Sequence, residues 1–231
     1  MQIEQLYKIF LAHPSVQTDT RKIKKNDLFF ALKGPNFNGN AFAKNALDAG
    51  AAFVIADEPT GLIDERIINT TDVLTTLQLL AKHHRQQFKI PFIAITGSNG
   101  KTTTKELLHE VLSTSYKTYT TEGNLNNHIG IPLTILKIKA DAAIALIEMG
   151  ANHLKEIESY CRFTLPTHGL ITNCGKAHLE GFGGIEGVIK GKTELYDSIK
   201  KTNGILFVNA DDNLLMEKSK GIPSITYGSS Y

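Results

Sequence analysis

The chain passes from strand to helix within Ile90-Pro-Phe-Ile-Ala-Ile-Thr-Gly-Ser-Asn-Gly-Lys-Thr-Thr-Thr-Lys-Glu-Leu-Leu108, and this stretch decides the fold. Its first six residues, Ile90 to Ile95, are an apolar and partly β-branched run typical of a buried strand. Beyond Lys101 the apolar side chains recur at helical spacing, at Leu107, Leu108, Val111 and Leu112. The stretch therefore predicts a strand, a glycine-containing turn and a helix in succession.

The turn between them has the composition of a phosphate-binding loop. It consists of Thr96, Gly97, Ser98, Asn99, Gly100, Lys101, Thr102 and Thr103. Glycines let the backbone wrap around an anion, and the first free N–H groups of the helix point at it. Lys101 would place a full positive charge beside the outer phosphates of ATP, and the Thr102 hydroxyl would bind Mg²⁺. A standard loop of this kind carries glycine where this chain has Ile95, and the alternative is a turn that binds nothing.

Composition narrows the class of protein. The 231 residues allow one large or two small domains, and 42% hydrophobic with 21% charged residues is ordinary for a globular chain. A formal net charge of +2 is too small to indicate nucleic acid or an anionic membrane as a partner. Cys161 and Cys174 are too few for a disulfide framework, and no apolar run or signal peptide suggests a membrane or export. We therefore expect a cytoplasmic protein.

The first part of the chain predicts a small α/β unit at residues 1–87, with its boundary near Phe88. Helical spacing places Ile3, Leu6, Tyr7, Phe10 and Leu11 on one face, and later Phe42, Ala46 and Leu47 on another. Strands are expected at 27–32 and 53–56, and a third helix is expected to begin at a capping Asp72. The pair His83-His84 at the end of that helix favours a solvated helix end over a metal site, because adjacent helical side chains diverge by about 100°.

The second part, residues 88–231, predicts a doubly wound and mostly parallel sheet. Strand-like runs at 142–147, 169–172, 204–209 and 222–227 alternate with helical patterns such as Ile185, Val188, Leu195 and Ile199. Glu148 follows one of these strands, where a buried carboxylate needs a cation, and ligands of such sheets lie just beyond the strand ends. Thr102 and Glu148 suit Mg²⁺, whereas His178, after the next strand, fits a polar loop residue at least as well.

Four blocks of the sequence resemble the Mur ligases, the ATP-dependent enzymes that build the stem peptide of peptidoglycan. The first is the phosphate loop, and the others are Gly123–Thr134, Glu148–His153 and Asn173–Gly183. Asp19-Thr20-Arg21 and Leu28–Gly34 also resemble the UDP-sugar domain of that family. The blocks are closest to the member that joins D-alanyl-D-alanine to UDP-MurNAc-tripeptide, and the resemblance covers essentially the whole chain.

The resemblance implies a set of roles. Lys101, His178 and Lys192 would be catalytic, with Lys192 carbamylated and Lys190 as its competitor. Thr102 and Glu148 would hold one Mg²⁺, while His178 and Lys192 would hold a second. The substrate would be bound by Thr20, Arg21, Lys33, Gly34, Asn124 and Asn127. ATP would phosphorylate the terminal carboxylate of UDP-MurNAc-tripeptide, and the amine of D-alanyl-D-alanine would displace phosphate from the acyl-phosphate.

Two departures from the family pattern accompany the resemblance. The chain reads Asn38-Gly39-Asn40 where relatives usually have Asp-Gly-His. The family also has a third domain beyond the position of Tyr231, so we expect a truncated ligase that forms no peptide bond alone. A folylpolyglutamate synthase is an alternative that the N-terminal block disfavours. A second alternative is a nucleotide-binding unit without catalysis. Turnover of ATP in the presence of both peptide substrates would distinguish such a unit from a ligase.

Overall fold

The computed structural model describes residues 1–229, which form two compact units. The first unit comprises Met1–Gln87 with Ile135–Lys137, and the second comprises Phe88–Thr134 and the residues from Ile138 onward. Ser230 and Tyr231, where the sequence predicts an incomplete sheet edge, lie outside the described residues.

The first unit is built on a four-stranded parallel sheet. In chain order its elements are α1 (Ile3–Ala12), β1 (Val16–Gln17), β2 (Leu28–Phe30), β3 (Lys33–Gly34), β4 (Phe37–Asn38), α2 (Ala43–Asp48), β5 (Phe53–Ala56), β6 (Ile67–Asn69) and α3 (Val73–Arg85). The strand order is β1-β2-β5-β6, while β3 and β4 form a separate antiparallel hairpin. Asp72 caps α3 by accepting a hydrogen bond from the N–H of Thr75, as the sequence predicts.

Several side chains of this unit differ from their predicted positions. Leu11 and Phe42, which the helical pattern places inward, are 59% and 46% exposed. The end of α3 is not a solvated helix end, because His84 and Arg85 are buried there. His84 Nδ1 lies 3.0 Å from the hydroxyl of Tyr7, and its ring packs edge-on against Phe10. Packing of α1 on α3 thus buries a histidine that spacing alone assigns to solvent.

The second unit is built on a six-stranded, fully parallel sheet. Its elements are β7 (Phe92–Thr96), α4 (Lys101–Ser113), β8 (Thr118–Thr120), α5 (Gly130–Leu136), β9 (Ile144–Glu148), α6 (Glu156–Thr164), β10 (His168–Ile171), α7 (Leu179–Phe182), α8 (Ile185–Lys201), β11 (Ile205–Asn209), α9 (Asn213–Lys218) and β12 (Ser224–Tyr227). The strand order is β12-β11-β10-β7-β9-β8. The predicted α/β class and parallel sheet are confirmed, with strand ends shifted by one or two residues.

The strand order places a ligand-binding crevice at β7. After β7 the chain goes through α4 to β8 and β9 on one side, and it then crosses to β10 on the other. Open parallel sheets bind ligands outside the carboxyl ends of the strands where the order reverses in this way. The phosphate loop, the end of β9 and the loop after β10 all meet there.

Helix α4 does not bury the face that its apolar spacing indicates. Leu107 and Val111 are 62% and 67% exposed, whereas Lys105 is the residue of α4 that is buried among those described. Ile185 at the start of α8 is also 40% exposed, although Val188, Leu195 and Ile199 are buried as predicted. Within residues 1–229, none of the helices combines the length and apolar character needed to cross a membrane.

Candidate functional site

The phosphate loop follows β7 and begins α4, with glycines at two positions where backbone geometry requires them. Gly97 has φ of 144°, and a Cβ built there would lie 1.9 Å from Oγ1 of Thr172. Gly100 precedes α4 with φ of 77°, in the left-handed region. Only glycine adopts these backbone conformations without strain. The first N–H groups of α4 lack partners within the helix, as an anion site requires.

The loop is fastened to residues 172–175, which follow β10. The hydroxyl of Ser98 donates to the carbonyl of Gly175 at 2.9 Å and accepts from the N–H of Gly175 at 3.0 Å. The carbonyl of Asn99 accepts from Oγ1 of Thr172 at 2.6 Å and from Nδ2 of Asn173 at 3.1 Å. The phosphate loop is therefore held in shape by the loop from the neighbouring strand.

Lys101 is folded back onto its own loop. Its Nζ donates to the carbonyl of Gly97 at 2.8 Å and to that of Ser98 at 3.3 Å. Burial lowers the pKa of Lys101, and the negative charge of Glu148 opposes that shift. The ammonium is thus already inside the crevice, next to the position that phosphates occupy in loops of this type.

Thr102 and Glu148 are brought together, as the Mg²⁺ interpretation requires. Oγ1 of Thr102 donates to Oε1 of Glu148 at 3.2 Å. Glu148 is 1% exposed at the end of β9, and its backbone N–H donates to Oγ1 of Thr121 at 3.0 Å. Nδ2 of Asn126 donates to the same Oε1 at 2.8 Å. Sequence reasoning missed Asn126, because in a run with Asn124 and Asn127 spacing does not reveal which amide points inward.

The donor set fits a divalent cation. Among residues 1–229, Oε2 of Glu148 is buried without a hydrogen-bond partner, and Nζ of Lys105 lies 4.0 Å from it. A buried carboxylate oxygen in this state is costly, and Mg²⁺ favours one or two protein oxygens with phosphates and water completing its shell. Within residues 1–229 no three His, Cys, Asp or Glu side chains converge on one point. The fit therefore rests on one hydroxyl and one carboxylate.

Lys192 lies in a different environment from its competitor Lys190. Lys192 is 1% exposed and donates to the carbonyl of Ala151 at 3.1 Å, whereas Lys190 is exposed. The Nζ of Lys192 lies 5.2 Å from the centre of the Phe182 ring. Burial, and next the charge of Lys101, lowers the pKa of Lys192 to about 8. A lysine in this position therefore has an accessible neutral amine.

His178 and the two predicted substrate asparagines do not contact the Thr102–Glu148 pair in the described part of the chain. His178 is exposed, with φ of 53° at the start of α7, and no hydrogen bond to its ring is found there. Oδ1 of Asn127 accepts from the N–H groups of Ile129 and Gly130, which begins α5. Asn124 is exposed in the same loop.

The predicted substrate residues of the first unit lie in two places. Arg21 pairs with Asp19 through Nε and Nη2 at 2.9 and 2.8 Å, next to Thr20. Lys33 of β3 lies 3.3 Å from Asp57 and 3.0 Å from Glu58, and these carboxylates raise its pKa, Glu58 more than Asp57.

The Asn38-Gly39-Asn40 departure forms part of the same polar network. Asn40 is buried, and its Nδ2 donates to Asp57 while its Oδ1 accepts from the N–H of Asp57. The two asparagines that depart from the family pattern, Asn38 and Asn40, therefore belong to a closed hydrogen-bond network with Asp57.

Comparison with known families identifies both units. The Mur ligase middle domain matches residues 95–230, and the Mur ligase family catalytic domain matches residues 14–87.

The curated relatives that match include UDP-N-acetylmuramoyl-tripeptide–D-alanyl-D-alanine ligases from several bacteria. The one from Bacillus subtilis is 38% identical, over 98% of this chain and 51% of the relative. The one from Escherichia coli is 41% identical, over 86% of this chain and 44% of the relative. The chain thus spans about half the length of the curated relatives it matches.

Solved structures agree with these matches. The MurF ligase from Thermotoga maritima in complex with ADP has a TM-score of 0.86 at 32% identity, covering 94% of this chain and 51% of that one. MurF from Acinetobacter baumannii has a TM-score of 0.84 at 34% identity, covering 93% and 48%. With its middle domain matched over most of the second unit and its relatives matched along nearly the whole chain, the chain belongs to the Mur ligase family.

Proposed function

We propose that this chain carries the ATP-binding and UDP-sugar-binding units of a ligase that joins D-alanyl-D-alanine to UDP-MurNAc-tripeptide. The observation that carries the proposal is the Thr102–Glu148 pair, 3.2 Å apart at the first turn of the helix after a phosphate loop. The names of the relatives and the ADP complex of the Thermotoga maritima structure support it.

The phosphate loop would bind and orient the nucleotide. The N–H groups of Gly100, Lys101 and Thr102 would face the β- and γ-phosphates, and Lys101 would leave the carbonyls of Gly97 and Ser98 to neutralise them. Thr102 and Glu148 would hold one Mg²⁺. When bound, Mg²⁺ stabilises the charge of the transferring phosphoryl group.

Lys192 would acquire a carboxylate by carbamylation. Its neutral amine would attack CO₂, forming an N–C bond and releasing one proton, so that a cation becomes an anionic oxygen ligand. Burial that lowers the pKa to about 8 favours the neutral amine that this step needs. With His178, whose loop would have to turn inward, the carbamate would hold a second Mg²⁺.

The reaction then follows from the two binding units. A carboxylate oxygen of the tripeptide would attack the γ-phosphorus and release ADP, giving an acyl-phosphate. The amine of D-alanyl-D-alanine would attack the acyl carbon, and phosphate would leave. Thr20, Arg21, Lys33 and Gly34 would bind the UDP-sugar. Asn124 and Asn127 would position the reacting carboxylate.

Calorimetric titration of the chain with ADP and Mg²⁺ tests the nucleotide site. Binding should weaken at least about tenfold in Lys101→Ala, which corresponds to about 1.4 kcal/mol. Lys117→Ala removes an exposed lysine after α4 and is the matched control. Unchanged binding in Lys101→Ala would contradict the phosphate-loop assignment.

Two further measurements test the substrates. Adding UDP-MurNAc-tripeptide to the whole chain should shift the amide NMR signals of Lys33 and Gly34, and an unaffected first unit would contradict its assignment. Mass spectrometry after incubation with ATP, Mg²⁺ and both peptide substrates reports ligation directly. Nucleotide binding without ligation would agree with the expectation that this chain forms no peptide bond alone, and ligation would contradict that expectation.

A further inference from the structure

Helix α4 contains a lysine in an unusual place. The side chain of Lys105 is fully buried, one turn after the phosphate-loop Lys101, while the apolar Leu107 and Val111 of the same helix face solvent. A buried ammonium is strongly unfavourable unless anions or hydrogen-bond acceptors surround it. A charged residue therefore occupies a core position of α4, and the groups around that charge indicate its role.

Three acceptors surround Nζ of Lys105. It donates to the backbone carbonyl of Thr121 at 2.5 Å, and it lies 2.7 Å from Oε1 of Glu106 and 4.0 Å from Oε2 of Glu148. Glu106 is half exposed, so it alone would draw the ammonium toward solvent. The carbonyl of Thr121 and the carboxylate of Glu148 instead keep it in the interior.

The two oxygens of Glu148 have different neighbours. Oε1 accepts from Thr102 and Asn126, on the side of the phosphate loop. Oε2 accepts no hydrogen bond from the described residues, and the ammonium of Lys105 lies 4.0 Å from it. Thr121 links the group further, because its carbonyl binds Lys105 while its hydroxyl accepts from the N–H of Glu148. Lys105 thus lies beside the carboxylate oxygen that Thr102 and Asn126 leave free.

We propose that Lys105 is a positioning residue for the divalent cation: from the side of Oε2, and together with Asn126 on Oε1, it holds the plane of the Glu148 carboxylate beside Thr102 and the nucleotide phosphates. The proposal rests on the proposed function of the same site. Without Lys105 the carboxylate would be held through Oε1 alone, and its plane could tilt away from the cation.

Whether Mg²⁺ binding weakens or strengthens when Lys105 is replaced distinguishes positioning from simple charge repulsion. A lysine near a cation site repels Mg²⁺, so removal of its charge alone would strengthen Mg²⁺ binding. Loss of positioning would weaken it. A purely structural lysine would change stability and leave the dependence on Mg²⁺ unaltered.

The test compares wild type with Lys105→Met, which keeps the length and apolar stem of the side chain. ADP affinity is measured by calorimetry over a series of Mg²⁺ concentrations and in EDTA. We expect the Mg²⁺ concentration for half-maximal tightening to rise at least about fivefold, while affinity in EDTA stays within about twofold. Glu106→Gln, which removes the exposed partner only, should behave as wild type.

Each other outcome has a defined meaning. Tighter or unchanged Mg²⁺ dependence in a folded Lys105→Met would overturn the proposal and leave the nucleotide site intact. If Lys105→Met does not fold, Lys105→Gln is measured in its place, and failure of both to fold would assign Lys105 to the fold instead. Absence of ADP binding in wild type would remove the proposed function and this inference together.

Discussion

The side chain of Asn173 forms two hydrogen bonds with the backbone of Asn99, one in each direction. Oδ1 accepts from the N–H of Asn99 at 3.2 Å, and Nδ2 donates to its carbonyl at 3.1 Å. A carbonyl oxygen directed at a phosphate would repel it. The Asn99 carbonyl is instead occupied by the donors of Asn173 and Thr172, so the shape of the phosphate loop depends on a residue 74 positions further along the chain.

Asn173→Asp should weaken ADP binding about tenfold or more. The substitution keeps the size of the side chain but replaces the donor Nδ2 with an oxygen, which repels the Asn99 carbonyl. Loss of one hydrogen bond costs about 0.5–1.5 kcal/mol, and repulsion between the two oxygens adds to that cost. Calorimetry with ADP and Mg²⁺ measures the effect, and Asn45→Asp on the exposed face of α2 is the control. Equal affinity in the Asn173 variant and wild type would show that the loop keeps its shape alone.

Gly97→Ala should destabilise the chain, and Thr172→Ala should partly rescue it. The new Cβ would lie 1.9 Å from Oγ1 of Thr172, and the alanine would have to adopt a φ of 144°. We expect a loss of about 2–4 kcal/mol in the free energy of unfolding, measured in urea. Gly100→Ala, with φ of 77° and open space around its Cβ, should lose only about 1 kcal/mol. Additive losses in the Gly97–Thr172 double variant would exclude the clash as the cause.

Lys192 should take up CO₂ more readily than any surface lysine. With a pKa of about 8, roughly one side chain in four is neutral at about pH 7.5, against roughly one in a thousand for an ordinary lysine. Incubation with ¹³C-bicarbonate should give a carbamate carbon signal by NMR. The signal should vanish in Lys192→Met and persist in Lys190→Met. Its survival in Lys192→Met would assign the carbamate to a different amine.

The same lysine should make stability depend on pH in a defined direction. Its pKa is about 8 in the folded chain and 10.5 ordinarily, so between these values the unfolded chain binds more protons. The free energy of unfolding contributed by Lys192 therefore rises with pH across that window, by up to about 3 kcal/mol. Urea unfolding in CO₂-free buffer, taken as wild type minus Lys192→Met, isolates this contribution. A difference that stays flat or falls with pH would refute the buried-amine assignment.

Local patterns predicted the elements that have a chemical signature of their own. The strand, glycine turn and helix around Lys101 could be read directly, and so could β5 and the Asp72 cap, because each depends on neighbours in sequence. Strands β1 and β6, of two and three residues, were missed because so short a run has no periodicity. Lys105 and His84 were missed because their burial depends on partners 16 to 77 residues away.

The folded-back position of Lys101 has a consequence for ligand selectivity. Two hydrogen bonds to the Gly97 and Ser98 carbonyls must break before the ammonium can reach a ligand, so the observed affinity is the intrinsic affinity reduced by the fraction of chains in which the lysine is free. A monophosphate offers less charge to offset that loss than a di- or triphosphate does. The position of Lys101 therefore favours ligands with more phosphate groups before any contact with the base is made.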